Sequence, residues 1–179
     1  AISYQLRQAV GKADVGELIS YIAVPLYLGG NYTKSDSVAR AYSALAPDSI
    51  HGYFWSARAL SAIDTSMSQG IAMQSWDKVL TIAESNKERF RSQGVTAATY
   101  LAGYHNNIKS DRAAALTYVT RGLAVDPTNA NLLNIQKALS VKQGPAKTET
   151  KTKENDVKTK VKDDGKTKVK TNGTKTKNK

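Results

Sequence analysis

Apolar residues recur every three or four positions along most of the first 143 residues, which is the spacing of helices that bury one face. Two stretches show the spacing most clearly: Tyr53, Ala57, Leu60 and Ile63, and later Leu132, Leu133, Ile135 and Leu139. No segment in this part alternates apolar and polar residues as a half-buried strand does. The pattern therefore predicts an all-α protein.

Breaks in this pattern predict seven helices. In chain order they span residues 14–28, Thr33 to Pro47, Ser49 to Ile63, a segment containing Trp76 to Ala83, residues 87–106, Ser110 to Val125, and residues 129–142. The connections between them are short, and short connections favour antiparallel neighbours. We expect a stack of helical hairpins.

Local residues predict where several of these helices begin and end. The segment Asp14–Glu17 has the spacing of a capping box, and Thr33 and Ser110 are predicted N-caps. Pro25 lies inside the first predicted helix, where it removes a backbone hydrogen bond, so this helix either kinks or consists of two pieces. Residues 64–70 are predicted to form a loose linker.

The last 36 residues have a different composition. From Ala146 onward there are 12 lysines and five acidic residues, which place +7 of the formal net charge of +11 in this segment. Without aromatic residues, it cannot bury enough apolar surface to offset the entropy of ordering. The repeated segments Lys158–Lys162 and Lys166–Lys170 could pair as a hairpin, but facing lysines repel each other. Residues 144–179 are therefore predicted to be a disordered Lys/Thr-rich tail.

An internal repeat links two of the hairpins. Three positions recur at twelve-residue steps: Ala23, Ser35 and Pro47 in one hairpin, and Gly103, Ala115 and Pro127 in another. Small residues at the first position are expected to let two helices approach closely. The repeat length of about 34 residues is that of tetratricopeptide repeats. The chain resembles that family best from Leu101–Tyr104 to Leu123–Pro127, whereas a middle unit with Ala57 and Trp76 at the corresponding places matches more loosely.

The resemblance implies a right-handed superhelix of antiparallel hairpins. Residues 1–12 would be the second helix of a truncated preceding repeat, so the chain is expected to be the C-terminal portion of a longer protein. Residues 13–143 would form about three hairpins and a capping helix. The segments Pro47–Trp55 and Gln69–Ala72 also resemble tetratricopeptide proteins of bacterial cell envelopes. The implied location is the bacterial periplasm or cell envelope, with the cytoplasm left open.

In this family the first helix of each hairpin lines a concave groove, which implies a scaffold that binds a protein or peptide partner. The groove positions carried over to this chain are Ser20, Val24, Tyr27, Phe54, Arg58, Ser61, Tyr100, Tyr104 and Asn107. Tyrosine and arginine side chains suit such a surface because they bury area and still offer hydrogen bonds. The alternative is that some of these aromatic residues pack between repeats. The family's lysine-and-asparagine clamp for a C-terminal carboxylate is not evident at these positions.

The sequence carries no recognisable catalytic, cofactor or metal motif. It has no cysteine, and its two histidines, His51 and His105, lack acidic neighbours at ligand-like spacing. We therefore predict a protein that is not an enzyme and needs no cofactor or metal. Two alternatives stay open: a structural assembly subunit, or a binder of polyanions or envelope surfaces that acts through the basic tail. Because the tail lacks arginine and aromatic residues, no specific recognition of nucleic acid is expected. No apolar run is long enough to span a bilayer.

Overall fold

A computed structural model describes residues 15–141 of the protein. Three predictions lie outside these residues: the capping role of Asp14, the helix of a preceding repeat in residues 1–12, and the disordered tail in residues 144–179.

The described chain consists of seven helices and contains no strand between residues 15 and 141. They are α1 (Val15–Glu17, Leu18–Ala23 and Val24–Leu28 in succession), α2 (Tyr32–Leu45), α3 (Ile50–Ile63), α4 (Met73–Ser85), α5 (Lys87–Asn107), α6 (Arg112–Val125) and α7 (Ala130–Ser140). Each helix packs against the next along the chain, and α1 also contacts α3 while α4 contacts α6. The prediction of an all-α stack of helical hairpins is confirmed.

Helix α1 resolves the two alternatives raised by Pro25. The segment Leu18–Ala23 is a wide π-type turn, in which the amide of Val24 donates to the carbonyl of Ile19. Pro25 then lies in the first turn of Val24–Leu28, where its missing N–H costs little. The carbonyl of Ala23 accepts a hydrogen bond of 2.8 Å from the buried hydroxyl of Ser35 in α2. The helix therefore accommodates its proline by changing the hydrogen-bond register rather than by breaking.

Two predicted N-caps are wrong by one or two residues. Helix α2 begins at Tyr32 with Asn31 as its N-cap, because Gly30, at φ +76°, turns the chain before Thr33 is reached. Helix α6 is capped by Asp111, whose carboxylate accepts from the amide of Ala114 at 2.9 Å. Ser110 has φ +54°. An N-cap normally has extended backbone, so Ser110 only turns the chain and the following residue caps the helix.

The linker over residues 64–70 is an organised loop rather than a loose one. Asp64 is buried, and its Oδ2 accepts hydrogen bonds from the amides of Gln69 at 3.0 Å and Gly70 at 2.9 Å. Its Oδ1 accepts from the hydroxyl of Ser66. A carboxylate that accepts several backbone and hydroxyl donors fixes a loop without needing apolar residues, which is why the hydrophobic pattern gives no sign of this order.

The interior consists of a larger and a smaller apolar cluster. The larger one joins α3 to α7 and includes Leu80, Leu101 and Leu132, all less than 2% exposed. The smaller one joins α1 and α2 around Ile19 and Val38. At the end of the stack, the guanidinium of Arg112 donates to carbonyls in the last turn of α7 and beyond it, including that of Ala138 at 2.9 Å. This satisfies carbonyl groups that a helix end otherwise leaves unpaired.

Close helix packing depends on other glycines than the sequence repeat predicts. A Cβ atom added to Gly122 would lie 2.5 Å from the Cβ of Ala98, and one added to Gly94 would lie 2.8 Å from the Cβ of Ala83. At Gly103 an added Cβ meets no atom within 4 Å. The expectation for Gly103 is therefore wrong, although Ala23, the equivalent residue of the earlier hairpin, is fully buried.

Candidate functional site

A cleft of about 480 Å³ opens along the first helices of the hairpins, and we call it the aromatic cleft. Its lining comes from α1 (Tyr27), α3 (Phe54, Arg58, Ser61, Ala62), α4 (Trp76) and α5 (Thr96, Tyr100). Five of the nine predicted groove residues lie in this lining: Tyr27, Phe54, Arg58, Ser61 and Tyr100. The volume falls in the range of cavities that hold small ligands or several side chains of a partner.

Helix α3 provides half of this lining. Phe54, Arg58 and Ser61 are spaced by four and then three residues, and side chains at this spacing share one face of a helix. Beside this row on the same helix, Ile50 and Ala57 belong to the larger apolar cluster, and Phe54 packs against that cluster. The face of α3 that lines the cleft therefore adjoins the face that is buried in the core.

Arg58 is held by aromatic rings rather than by a carboxylate. Its guanidinium carbon lies 4.8 Å from the ring centroid of Tyr27 and 4.8 Å from that of Trp55, with the ring of Phe54 at 5.8 Å. Such cation–π contacts attract a cation and leave its N–H groups free to donate. Within residues 15–141, Arg58 has no ion pair and no hydrogen bond.

Arg40, Arg112 and Arg121 differ from Arg58 in having anionic or carbonyl partners, whereas Arg89 resembles it: within residues 15–141 its side chain has no ion pair or hydrogen bond and lies 5.2 Å from the ring of Phe90. Arg40 pairs with Asp36 at 2.9 Å on α2. Arg121 on α6 pairs with Glu84 at 2.9 Å and Asp77 at 2.8 Å on α4, and hydrogen bonds to these two carboxylates raise its pKa. These pairs join helices or turns of the stack, so their charges are already used within the fold.

The inner wall of the cleft is a packed aromatic cluster. Trp76 is 3% exposed, and its Nε1 donates to the hydroxyl of Ser61 at 2.9 Å. The ring of Phe54 meets it edge-on at 5.8 Å, and that of Tyr100 lies tilted at 5.5 Å. Ser61 in turn donates to the carbonyl of Ala57 at 2.8 Å. Buried rings that contact each other in this way hold a cavity wall in a fixed shape.

Tyr100 lines the cleft, but its hydroxyl oxygen is buried. Within the described chain this oxygen has no hydrogen-bond partner of good geometry, although the Ser61 hydroxyl lies near it. Burial raises the pKa of Tyr100, an effect that the nearby Ser61 hydroxyl opposes and the negative charge of Asp64 reinforces. The hydroxyl is therefore neutral at physiological pH and can either donate or accept a hydrogen bond.

The remaining predicted groove residues lie outside the lining. Ser20 and Asn107 are exposed, and Val24 is half-buried against the smaller apolar cluster. Tyr104 is buried at 8% exposure and closes over the α3–α4 loop, where a Cβ added to Gly70 would meet its hydroxyl at 2.6 Å. Its position corresponds to the alternative that some of these aromatic residues pack between helices.

Sequence reasoning missed four residues of the site: Trp55, Ala62, Trp76 and Thr96. Trp76 was expected only at a repeat position of the middle unit; it is 3% exposed on α4 and also forms part of the wall of the cleft. Trp55 follows Phe54 directly and reaches Arg58 from the side. The run of aromatic residues Tyr53–Trp55 was a usable signal, because three consecutive rings cannot all point into one side of a helix.

The two histidines lie apart from the cleft. His51 packs edge-on against Phe90 at 6.5 Å, and His105 stacks on Tyr118 at 5.1 Å. Burial lowers the pKa of His51, and the positive charge of Arg89 lowers it further. Between residues 15 and 141 there is no group of three or more His, Asp or Glu side chains that could hold a metal ion.

One solved structure is similar to this chain over much of its length. It is the crystal structure of the C-terminal part of a tetratricopeptide repeat-containing protein from Cytophaga hutchinsonii, with a TM-score of 0.62 and 27% sequence identity. The similarity covers 68% of the present chain and 46% of that chain, so the present chain matches less than half of its neighbour. The protein is tetratricopeptide-like, and the neighbour's source agrees with the bacterial character expected from the sequence.

No protein-family model matches the chain, and no curated protein is significantly similar to it. Within the described part, none of the helices has the length and apolar character needed to cross a membrane.

Proposed function

We propose that this protein is an interaction scaffold that holds an extended segment or a helix of a protein partner in the aromatic cleft. The fold supports the general role, because tetratricopeptide-like stacks are typically non-catalytic scaffolds for protein partners. The observation that carries the specific proposal is the meeting of Tyr27, Phe54, Arg58, Ser61 and Tyr100 around one cavity. These residues come from three different first helices, so the cleft exists only when the hairpins are stacked.

The side-chain chemistry of the cleft supports binding of a polypeptide. Tyrosine, tryptophan and arginine are the residues most enriched among those that dominate protein–protein affinity. Here their rings already contact each other, so binding requires little further ordering of side chains. The free N–H groups of Arg58 can fix the orientation of a bound chain.

A pair of tyrosine variants tests the proposal. The full chain is used to capture partners from lysate of the source organism, and the affinity of an identified partner is then measured by calorimetry for Tyr27→Ala and for Tyr21→Ala. Tyr21 lies on the same helix but is 75% exposed and outside the cleft. We expect Tyr27→Ala to weaken binding by about tenfold or more, as a central interface residue does, and Tyr21→Ala to leave it unchanged. Equal affinities of the two variants would contradict the cleft as the binding site.

The basic tail supports a second, electrostatic contact with polyanions or the anionic envelope surface. Its formal charge of +7 would make such binding non-specific and strongly dependent on salt. A synthetic peptide of residues 144–179 should bind heparin at low ionic strength, and this binding should disappear at about 0.5 M salt. No binding at low salt would remove this role.

Two further parts of the proposal rest on the sequence and the family resemblance. The protein would work in the bacterial periplasm or cell envelope. Fractionation of the source bacterium with an antibody against residues 15–141 tests the location, since recovery from the cytoplasm alone would exclude the envelope. The chain is further proposed to have no catalytic activity, cofactor or metal of its own.

A further inference from the structure

We infer that the partner segment held in the aromatic cleft carries an acidic side chain next to an apolar one, with its carboxylate on Arg58. This inference rests on the proposed function and adds the chemistry of the occupant. It follows from the charge of the cleft, the environment of Arg58 and the shape of the cavity wall.

The cleft contains one charged residue. Of its eight lining residues, Arg58 is a cation and none is acidic. Arg58 is half-buried between Tyr27 and Trp55, which hold the guanidinium without neutralising it. A partly desolvated charge without a counter-ion is costly, and a carboxylate that pairs with two guanidinium N–H groups at once relieves this cost.

The rings around Arg58 also explain why the site would discriminate between ligands. Arginine in this setting has a restricted set of side-chain conformations, so its donor groups are already positioned for a planar carboxylate. The same positive charge disfavours a basic segment, because bringing a lysine beside an unpaired guanidinium adds repulsion. The chain's own lysine-rich tail, at +7, is therefore a poor occupant.

The rest of the cavity is suited to an apolar neighbour of the acidic residue. Phe54, Trp76 and Ala62 provide an apolar wall, and about 480 Å³ leaves room for several side chains. Trp76 is only 3% exposed, so its ring offers no open face for a sugar to stack on.

Selection from a peptide library tests the inference. Random twelve-residue peptides are displayed within a carrier loop, so that no peptide has a free C-terminus, and are selected on the full-length protein. Three baits are compared: wild type, Arg58→Glu and the matched variant Arg91→Glu, which changes an exposed arginine outside the cleft. Circular dichroism verifies that each bait is folded, and Arg58→Gln replaces Arg58→Glu if that variant fails.

We expect wild type and Arg91→Glu to select the same peptides, enriched in Asp or Glu beside an aromatic or aliphatic residue. Arg58→Glu should select Lys or Arg at the corresponding position, and Arg58→Gln should lose the acidic preference. For a selected peptide made synthetically, replacing its Glu by Gln should weaken binding to wild type by about tenfold or more. The fluorescence of Trp55 and Trp76 measures this binding.

Several results would overturn the inference. If the selected peptides lack acidic residues but lose binding in Tyr27→Ala, the cleft binds a partner and only the acidic preference is wrong. If peptides bind only from a second, parallel library that displays them with a free C-terminus, the carboxylate recognised is that of a chain end and not of a side chain. If no peptide is selected, or if Tyr27→Ala binds every selected peptide as well as wild type does, the proposed function itself fails.

Discussion

Two regions of this molecule bring helices together in opposite ways. In the first, which we call the small-residue interface, Gly94 and Gly122 let α5 and α6 approach residues such as Ala83 and Ala98 at van der Waals distance. In the aromatic cleft, side chains of α1, α3, α4 and α5, several of them large rings, surround an open space. The small-residue interface has no space for one more methyl group, whereas the cleft encloses about 480 Å³.

The two regions also differ in what they do with polar atoms. The small-residue interface joins apolar side chains of the larger cluster, which have no hydrogen bonds to satisfy. The cleft contains a cation without a counter-ion, Arg58, whose unpaired charge lowers stability and can be paired by a ligand. We therefore expect the first region to contribute most to stability and propose the second as the binding region.

The largest effect is expected from truncating the shared core. Leu101 on α5 is fully buried in the larger cluster, so Leu101→Ala should lower the free energy of unfolding by about 3–5 kcal/mol through lost transfer energy and a cavity. Urea unfolding followed by circular dichroism measures this loss. Leu133→Ala, at a residue that is 43% exposed, is the control and should cost far less. A loss for Leu101→Ala as small as that for Leu133→Ala would mean that the larger cluster is not the source of stability.

A matched pair of glycine substitutions tests the small-residue interface itself. Gly122→Ala places a methyl group 2.5 Å from Ala98 and should destabilise the protein by about 1–3 kcal/mol through overpacking. Gly103→Ala makes the same chemical change in an open position of α5 and should stabilise it by about 0.5–1 kcal/mol through helix propensity. The two values come from the same unfolding experiment. If both substitutions change the free energy of unfolding in the same direction, the close approach at Gly122 is not as described.

A smaller effect is expected in the cleft. Tyr100→Phe removes a buried hydroxyl that has no partner, so the free energy of unfolding should stay the same or rise by up to about 1 kcal/mol. A clear loss of stability would place this hydroxyl among the groups that hold the fold together.

The smallest effect concerns pH. The pKa of His51 is lowered below its ordinary value of 6.5 by burial and by Arg89, so the unfolded chain takes up a proton more readily than the folded one. Stability should therefore be complete above about pH 6.5 and fall as the pH drops below it. In His51→Gln this part of the pH dependence should disappear. If the stability of His51→Gln depends on pH just as that of wild type does, His51 does not contribute to the pH dependence. Because His51 lies in neither region, the comparison of the small-residue interface with the aromatic cleft would be unaffected.

Much of the fold could be predicted from the sequence because it depends on regular spacing. Apolar periodicity and closing prolines gave the seven helices and their hairpin order, and most predicted boundaries lie close to those of the structure. Errors arose where one backbone conformation decides the outcome. The left-handed backbone of Gly30 and Ser110 shifted two caps, and the carboxylate of Asp64 ordered a loop that has no apolar pattern.

The candidate site could be predicted only in part. Positions on the first helices follow from the repeat, and they include five residues that line the cleft. Whether such a residue faces the cavity or fills a gap depends on its neighbours from other helices. Tyr104 is buried because the α3–α4 loop reaches it, and Trp76 enters the cleft from a second helix. These contacts join residues far apart in the chain, and no local pattern encodes them.

The most direct test of the central claim uses the two tryptophans of the chain, Trp55 and Trp76, which both belong to the aromatic cluster of the cleft. Intrinsic fluorescence is recorded while an identified partner segment without tryptophan is added to the full-length protein. The account predicts a saturable change in emission that is lost or shifted to about tenfold higher concentration in Arg58→Ala and unchanged in Arg91→Ala. Binding that calorimetry detects but that leaves the emission of both tryptophans unaltered would contradict it.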